Sequence, residues 1–435
     1  MQSIVAKFGG TSLADAGQMR RVEAIVRADA RRRYIVPSAP GKRFPEDRKI
    51  TDLLYTCHQL AEQGLSFSEP WSIIRERYLE LARQLGLGMA IEPELDRIEE
   101  AIRGGANRDY VASRGEYLSG LIVAELLGAR FVDPADGILL TADGRLDPAS
   151  YPRLGALLRG EGLFVIPGFY GTGPDGKIRT FSRGGSDITG AVVARAVQAS
   201  LYENWTDVSG LLMTDPRIVP DAQTIREVTY RELRELSYMG ASVFHEEAVF
   251  PVRQANIPIN IRNTNAPDEP GTLITPTRDA SGTPIVGVAG RPKFTMFFLE
   301  KELMNKERGF GRRMLEIIES HGMSFEHAPT GIDSMGVVLR DEELGDRTEE
   351  LLEDIRNTLR PDRIDVITGL ALIATVGEGM AYRVGTAARL FTALANAGVN
   401  VRMIDQGSSE INIIVGVEEK DFATAVEAIY RAFVG

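Results

Sequence analysis

The sequence predicts an α/β protein, a mostly parallel sheet sandwiched by helices, followed by two ferredoxin-like α+β modules. Three observations predict it. Short apolar strands alternate with helix-period segments in the first part of the chain, which is the signature of βαβ units and a parallel sheet. Glycine-rich turns, Gly9-Gly10 and Gly184-Gly185, stand directly before helix starts. The last third of the chain repeats itself, and a shared offset across several elements marks duplication. A boundary falls between Pro267 and Pro284, where proline, glycine, serine and threonine accumulate. The first domain is therefore residues 1–280, and the region 285–435 holds two repeats, about 290–365 and 370–435.

Taken in order, Ile4 to Phe8 reads as a buried strand, and Met19, Val22, Ile25 and Val26 recur at helical spacing behind the first glycine turn. Tyr34 to Val36 is the next strand, broken by Pro37 to Gly41. Residues 72–103 form a charged, all-helical excursion with Ile73, Ile74, Leu79, Leu81 and Leu85 on its apolar side. Phe164 to Ile166 is a strand, and Gly168 to Phe181 suits a hairpin. Ser186 to Ala199 reads as a helix with Ser186 as its N-cap. In the first repeat, strands are expected at Phe294–Leu299, Ser324–Glu326 and Gly336–Leu339, with a helix over Arg312–Glu319. Gly322 and Gly398 stand 76 positions apart (398 − 322), and the same offset carries Met314 to Leu390 and Val337 to Ile413. Each repeat reads βαββ with a further helix after it.

Composition narrows the function. The chain has 435 residues and a formal net charge of −11, which disfavours a nucleic-acid surface. Its single cysteine, Cys57, allows no intrachain disulfide and reads as buried packing. The N-terminus is interrupted by glycine too early for a signal peptide, and no stretch approaches the ~20 apolar residues that span a bilayer. A cytoplasmic protein without a membrane partner is expected.

Four clusters carry chemistry. Lys7-Phe8-Gly9-Gly10-Thr11-Ser12 joins a strand to a helix, where bare backbone N–H groups and a lysine can meet phosphate oxygens; a tight turn with a solvated lysine is the plainer reading. Ser182-Arg183-Gly184-Gly185-Ser186-Asp187 repeats the arrangement with a guanidinium fork suited to a carboxylate. Asp187 either acts in the site or simply complements the helix dipole. Trp205 to Gly210, with Thr214-Asp215-Pro216-Arg217, fits a nucleotide-holding loop and equally a structural turn. Glu116, after Ser113-Arg114-Gly115, caps a helix or binds an ammonium group. His245, between apolar residues, reads as a hydrogen-bonded structural residue.

In combination, Lys-Phe-Gly-Gly-Thr-Ser, Gly115-Glu116, Arg-Gly-Gly-Ser-Asp and Thr206-Asp207 followed by Asp-Pro-Arg resemble the aspartate kinases of the amino acid kinase superfamily. The tandem modules resemble the ACT domains that follow that kinase. The resemblance implies an aspartate-binding lobe of about 1–200 and a nucleotide-binding lobe of about 201–280. It implies that Lys7 neutralises the γ-phosphoryl group of ATP, with Gly9 and Gly10 lining the phosphates. Arg183 would clamp the α-carboxylate of L-aspartate, Glu116 would accept from its ammonium, and Ser38, Thr51 and Ser186 would fix it. Asp187 would orient the lysine or the reacting groups, and Thr206, Asp207 and Arg217 would hold nucleotide. Mg2+ is expected through phosphate oxygens and water, with no protein ligands. The sequence departs from the pattern at Leu212 for tyrosine, Ser242 for lysine, Glu246 for proline, and in a longer loop from Lys42 to Lys49.

For the C-terminal region the resemblance implies a homodimer joined through the ACT modules. An inhibitory amino acid, lysine or threonine or both, would bind near Met304, Phe310, Ser324, Phe325 and Glu326. Glu326 or Asp333 would receive its ammonium group, unless both carboxylates are merely solvated. The activity implied is the first step of lysine, threonine and methionine biosynthesis. Two rivals stand beside it: a kinase for another acidic metabolite, such as glutamate or acetylglutamate, and a non-catalytic amino-acid sensor.

Overall fold

The computed structural model describes residues 2–182, 184–240, 246–282 and 284–434. Arg183, Ser242 and His245, singled out above, lie outside the described residues, as does the side chain of Glu246. The chain divides into two compact units. One comprises Met1–Leu211, Thr224–Tyr230 and Val243–Arg278; the other comprises Leu212–Gln223, Arg231–Ser242 and Asp279–Gly435. The last and longest segment of the second unit begins at Asp279. Two inserts from the expected nucleotide lobe group with the second unit, because their hydrogen bonds run there: Val288 N–H donates to Met213 O (2.7 Å), and Asn412 Nδ2 to Glu235 Oε2 (2.6 Å).

The first unit begins with β1 (Ile4–Phe8), α1 (Ala16–Ala28), β2 (Arg32–Pro37), α2 (Ile50–Glu62), α3 (Ser68–Leu85), α4 (Glu92–Arg103) and α5 (Arg108–Leu127). Then come β3 (Arg130–Phe131), α6 (Ser150–Leu157), β4 (Phe164–Val165), β5 (Tyr170–Thr172), β6 (Ile178–Thr180), α7 (Gly185–Ala196) and β7 (Leu201–Thr206). β8 (Glu227–Thr229), α8 (Tyr230–Tyr238), α9 (Glu246–Gln254), β9 (Ile259–Asn263) and β10 (Thr272–Thr275) follow. Eight strands pair in the order β3-β4-β2-β1-β7-β9-β10-β8, and among these pairs only β9 and β10 run antiparallel. β1 is buried throughout, as expected of a central parallel strand covered on both faces. α1 is capped by Asp15, whose side chain accepts from Gln18 N–H, and it buries Met19, Val22, Ile25 and Val26 as the periodicity predicts. Cys57 packs in the core of α2, and burial pushes its thiol up to about 12, so it is inert.

α7 differs from expectation at its start. The cap is Gly184, in the left-handed region (φ 59°), and Ser186 lies inside the helix. A residue without Cβ takes that conformation at little cost, which leaves the serine hydroxyl free for other work.

The second unit contains β11 (Gly287–Glu300), α10 (Phe310–Ser320), β12 (Ser334–Arg340), α11 (Asp341–Leu344), α12 (Thr348–Leu359) and β13 (Arg363–Val376). α13 (Thr386–Asn396), β14 (Val401–Asp405), β15 (Asn412–Glu418) and α14 (Phe422–Val434) complete it. The offset of 76 holds in three dimensions: β11 and β13 span equivalent residues (363 − 287), as do α10 and α13 (386 − 310). Both repeats share one antiparallel sheet, in the order β12-β11-β13-β15-β14. β11 and β13 pair along their lengths and kink where Lys293 and Gly369 adopt positive φ. The strand expected at Ser324–Glu326 is absent. Glu326 N–H donates to Val338 O and Val338 N–H to His327 O, and pairing with β12 continues only as isolated bridges, with Gly336 N–H donating to Pro329 O and Thr330 facing Met335. Among the described residues no helix is long and apolar enough to cross a membrane.

Candidate active site

Parallel strands put their carboxyl ends on one edge, and the loops leaving that edge form the usual crevice of an open α/β sheet. Here Phe8 at the end of β1 is level with Pro37 of β2 and Trp205 of β7. The candidate residues Lys7, Gly9, Gly10, Ser38, Thr206 and Asp207 therefore share that edge.

The loops touch through backbone. Ser38 N–H donates to Phe8 O (3.1 Å), Gly9 N–H to Trp205 O (2.9 Å) and Gly41 N–H to Gly10 O (2.7 Å). A Cβ on Gly41 would stand 2.6 Å from the carbonyl carbon of Gly10, so only glycine admits this approach. α7 joins the same edge: Gly168 N–H donates to Pro37 O, and Gly168 lies against Ser186, whose Oγ would be 2.4 Å from an added Cβ.

At the centre stands Lys7. Its Nζ is 2.6 Å from Asp187 Oδ1 and donates to Asn204 Oδ1 at 3.3 Å, while Asn204 Nδ2 donates to Asp187 Oδ1 at 2.9 Å. Lys7 is buried and Asp187 half-buried. Along β7, Asn204 faces this triad, whereas its neighbours Glu203 and Trp205 face the opposite side. There Glu203 accepts a bidentate fork from Arg32 (2.7 and 3.1 Å) and a hydrogen bond from Trp205 Nε1, which makes that side a structural polar knot. Asn204 was not among the sequence candidates. Its signal was available: Glu203 and Asn204 are a polar pair between Tyr202 and Trp205 inside the strand.

Glu116 lies mid-way along α5, among residues buried on every side, so it caps no helix. Its carboxyl accepts from Ala39 N–H in the loop after β2, and Oε2 is buried with no hydrogen-bond partner among the described residues. Burial pushes the carboxyl up to about 8. Tyr78 of α3 anchors the helix here by donating to Gly115 O (2.7 Å). Thr51, half-buried, opens α2.

Other candidates stand differently. Thr206 Oγ1 donates to Asp207 Oδ1 at 3.0 Å, and Asp207 is exposed. Arg217 belongs to the second unit, exposed and forked onto Asp215 (2.6 and 3.0 Å). In the first repeat Met304 and Phe310 are core side chains, while Ser324 and Phe325 are exposed. The Glu326 side chain is buried against Arg340 (2.5 Å).

The pattern of the amino acid kinase family matches residues 2–263, and that of an ACT domain matches residues 373–433. Aspartokinase 3 of Bacillus subtilis is 42% identical over 448 residues, covering 99% of this chain and 98% of that protein. The chain belongs to the aspartokinases of the amino acid kinase family. The crystal structure of Clostridium acetobutylicum aspartate kinase, described as an allosteric enzyme, matches at 49% identity with a TM-score of 0.91, covering all of both chains. E. coli aspartokinase III matches at 29% identity, with TM-scores of 0.73 for its R-state complex with aspartate and ADP and 0.74 for its T-state complex with lysine and aspartate. Both matches cover the whole of each chain. Aspartate kinase membership thus joins the edge-of-sheet geometry.

Proposed function

We propose that this chain transfers the γ-phosphoryl group of ATP to the side-chain carboxylate of L-aspartate, giving 4-phospho-L-aspartate and ADP. The observation that carries the reading is the Lys7–Asp187–Asn204 triad, set beside the Gly9-Gly10 turn at the carboxyl end of the sheet.

The chemistry asks little of the protein beyond position and charge. The aspartate carboxylate is ionised at neutral pH and needs no general base. One of its oxygens bonds to the γ-phosphorus, the bond from that phosphorus to the β,γ-bridging oxygen breaks, and ADP leaves with the electron pair. No proton moves. Lys7 holds an ammonium against the migrating group, and Asp187 with Asn204 fix its direction. Gly9 and Gly10 present backbone to the phosphates, and Thr206 and Asp207 hold the nucleotide. Arg183 receives the α-carboxylate of aspartate, Glu116 its ammonium, and Ser38, Thr51 and Ser186 complete the pocket. Among the described residues no group of three or more His, Cys, Asp or Glu is placed to hold a metal. Mg2+ would arrive on the phosphate oxygens of ATP, supplying charge neutralisation there.

Regulation belongs to the ACT region. The lysine-bound T-state of the E. coli relative supports lysine as an effector of this chain, with threonine as a second candidate at Met304, Phe310, Ser324, Phe325 and Glu326. The enzyme would work in the cytoplasm as a homodimer joined through its ACT modules, opening the route to lysine, threonine and methionine. A substrate panel with ATP and Mg2+, trapping the acyl phosphate with hydroxylamine, tests the reading. Aspartyl hydroxamate supports it; another hydroxamate, or none, replaces it with a different kinase or a sensor.

A further inference from the structure

An ionised carboxylate in a protein interior requires a counter-ion, and Glu116 has none in contact among the described residues. Its helix carries one nearby cation, Arg114, but that guanidinium is otherwise engaged. Arg114 Nε donates to Tyr110 O and lies 3.2 Å from Ser113 Oγ, and the group sits over the rings of Tyr110, Tyr117 and Tyr170 at 4.4, 4.5 and 5.2 Å. From α3 the facing titratable group is Tyr78, whose hydroxyl is committed to Gly115 O. From α2 it is Tyr55, whose ring lies under Arg108. From the loop after β2 comes a single backbone donor, Ala39 N–H. Among the described residues Oε2 remains a buried oxygen with no hydrogen-bond partner. A carboxyl so placed keeps its proton until a cation reaches it.

We propose that Glu116 is a neutral carboxylic acid in the free enzyme and ionises only when the ammonium group of a free α-amino acid docks on it, releasing one proton to solvent. This rests on the reading of Glu116 as the ammonium acceptor and adds to it a proton stoichiometry. The balance is simple: R–NH3+ and Glu–COOH enter, the ion pair remains, and H+ passes to buffer. The device also sets specificity. An N-acylated amino acid brings no cation, leaves Glu116 protonated, and forfeits the ion pair.

The upward shift of the carboxyl places the titration in an accessible range. Below it, each unit of pH lowers the ionised fraction tenfold, so the aspartate KM should rise about tenfold per pH unit on acidification from 7 to 6, with kcat nearly constant. Calorimetric titration of the full chain with L-aspartate, in phosphate and in Tris at pH 7, reads the proton directly. The expected apparent enthalpies differ by close to the difference between the two buffers' ionisation enthalpies. In Glu116→Gln, which cannot release a proton, residual binding should show no such difference. Equal enthalpies in the two buffers for the wild type, a KM flat from pH 6 to 8, or a buffer difference that survives in Glu116→Gln would each overturn the proposal. A wild-type chain that forms no aspartyl hydroxamate would instead remove the substrate reading beneath it.

Discussion

Lys7→Met removes the ammonium while keeping an aliphatic stem in the same cavity. The Lys7 Nζ is gripped from two sides, by Asp187 at 2.6 Å and Asn204 at 3.3 Å, so its position is set before substrate arrives. A unit charge 4 Å from the transferring oxygens is worth about 4 kcal/mol at an effective dielectric near 20. Loss of one such preorganised contact typically costs about 10²–10³ in turnover, or about 3–4 kcal/mol of barrier. The expected result is therefore a kcat lowered about 10²- to 10³-fold, with the aspartate KM within about threefold of wild type. Folding should suffer less. Breaking a buried pair can cost about 3–5 kcal/mol, but Asp187 retains the Asn204 amide at 2.9 Å and partial solvent contact, which places the loss at the lower end. ADP release and hydroxamate formation at saturating substrate measure the first effect, and thermal melting measures the second. A folded variant turning over within about fivefold of wild type would refute the role assigned to the ammonium. So would a rise in KM that accounts for the whole loss.

Asn204→Ala should lower kcat about tenfold and stability by about 2 kcal/mol, because two hydrogen bonds to charged groups disappear while the ion pair survives; a stability loss with unchanged kcat would make the residue purely structural. Glu116→Gln should shift stability with pH. The folded-state carboxyl is raised from 4.5 to about 8, so its contribution is full below pH 4.5 and is lost as pH rises to 8. Relative to wild type the Gln variant should gain about 3 kcal/mol between pH 5 and pH 8, and denaturant melts that run parallel across that range would contradict this. Gly41→Ala should disrupt the edge loops, since its Cβ would enter Gly10 backbone; a cost of about 2 kcal/mol or more, with a raised KM for ATP, is expected from urea melts and steady-state kinetics. Saturating lysine or threonine should depress turnover, and Glu326→Gln should weaken that inhibition without altering uninhibited kcat; indifference to both amino acids would remove the regulatory reading.

Much of this was legible because local rules decide it. β1 with its glycine turn declared itself as a short apolar run, and α1 by the spacing of Met19, Val22, Ile25 and Val26. The repeat was visible in spacing alone, since the helix-terminal glycines Gly322 and Gly398 must supply positive φ at matching places. What escaped was set by tertiary partners. The polar pair Glu203-Asn204 stands out in β7, but the partners of Asn204 follow from β7 lying beside β1 and α7, which the local pattern does not give. Ser186 looked like a cap because serine caps helices, but the left-handed turn at Gly184 starts α7 earlier. Ser324–Glu326 has strand-like neighbours, yet of the three only Glu326 reaches β12, and the pairing there stays a set of isolated bridges. Repeat length likewise could not show that two modules would share strands.

That sharing has a practical outcome. Gly287–Arg291, at the head of the first copy, hydrogen-bonds to Leu372–Val376 in the second, while Phe297–Glu300 bonds to Arg363–Val366. The copies are laced together like crossed fingers. Excising either one at its sequence border would strip half the partners from a strand belonging to the survivor and bare a fresh edge for aggregation. The pair must be transplanted whole or not at all.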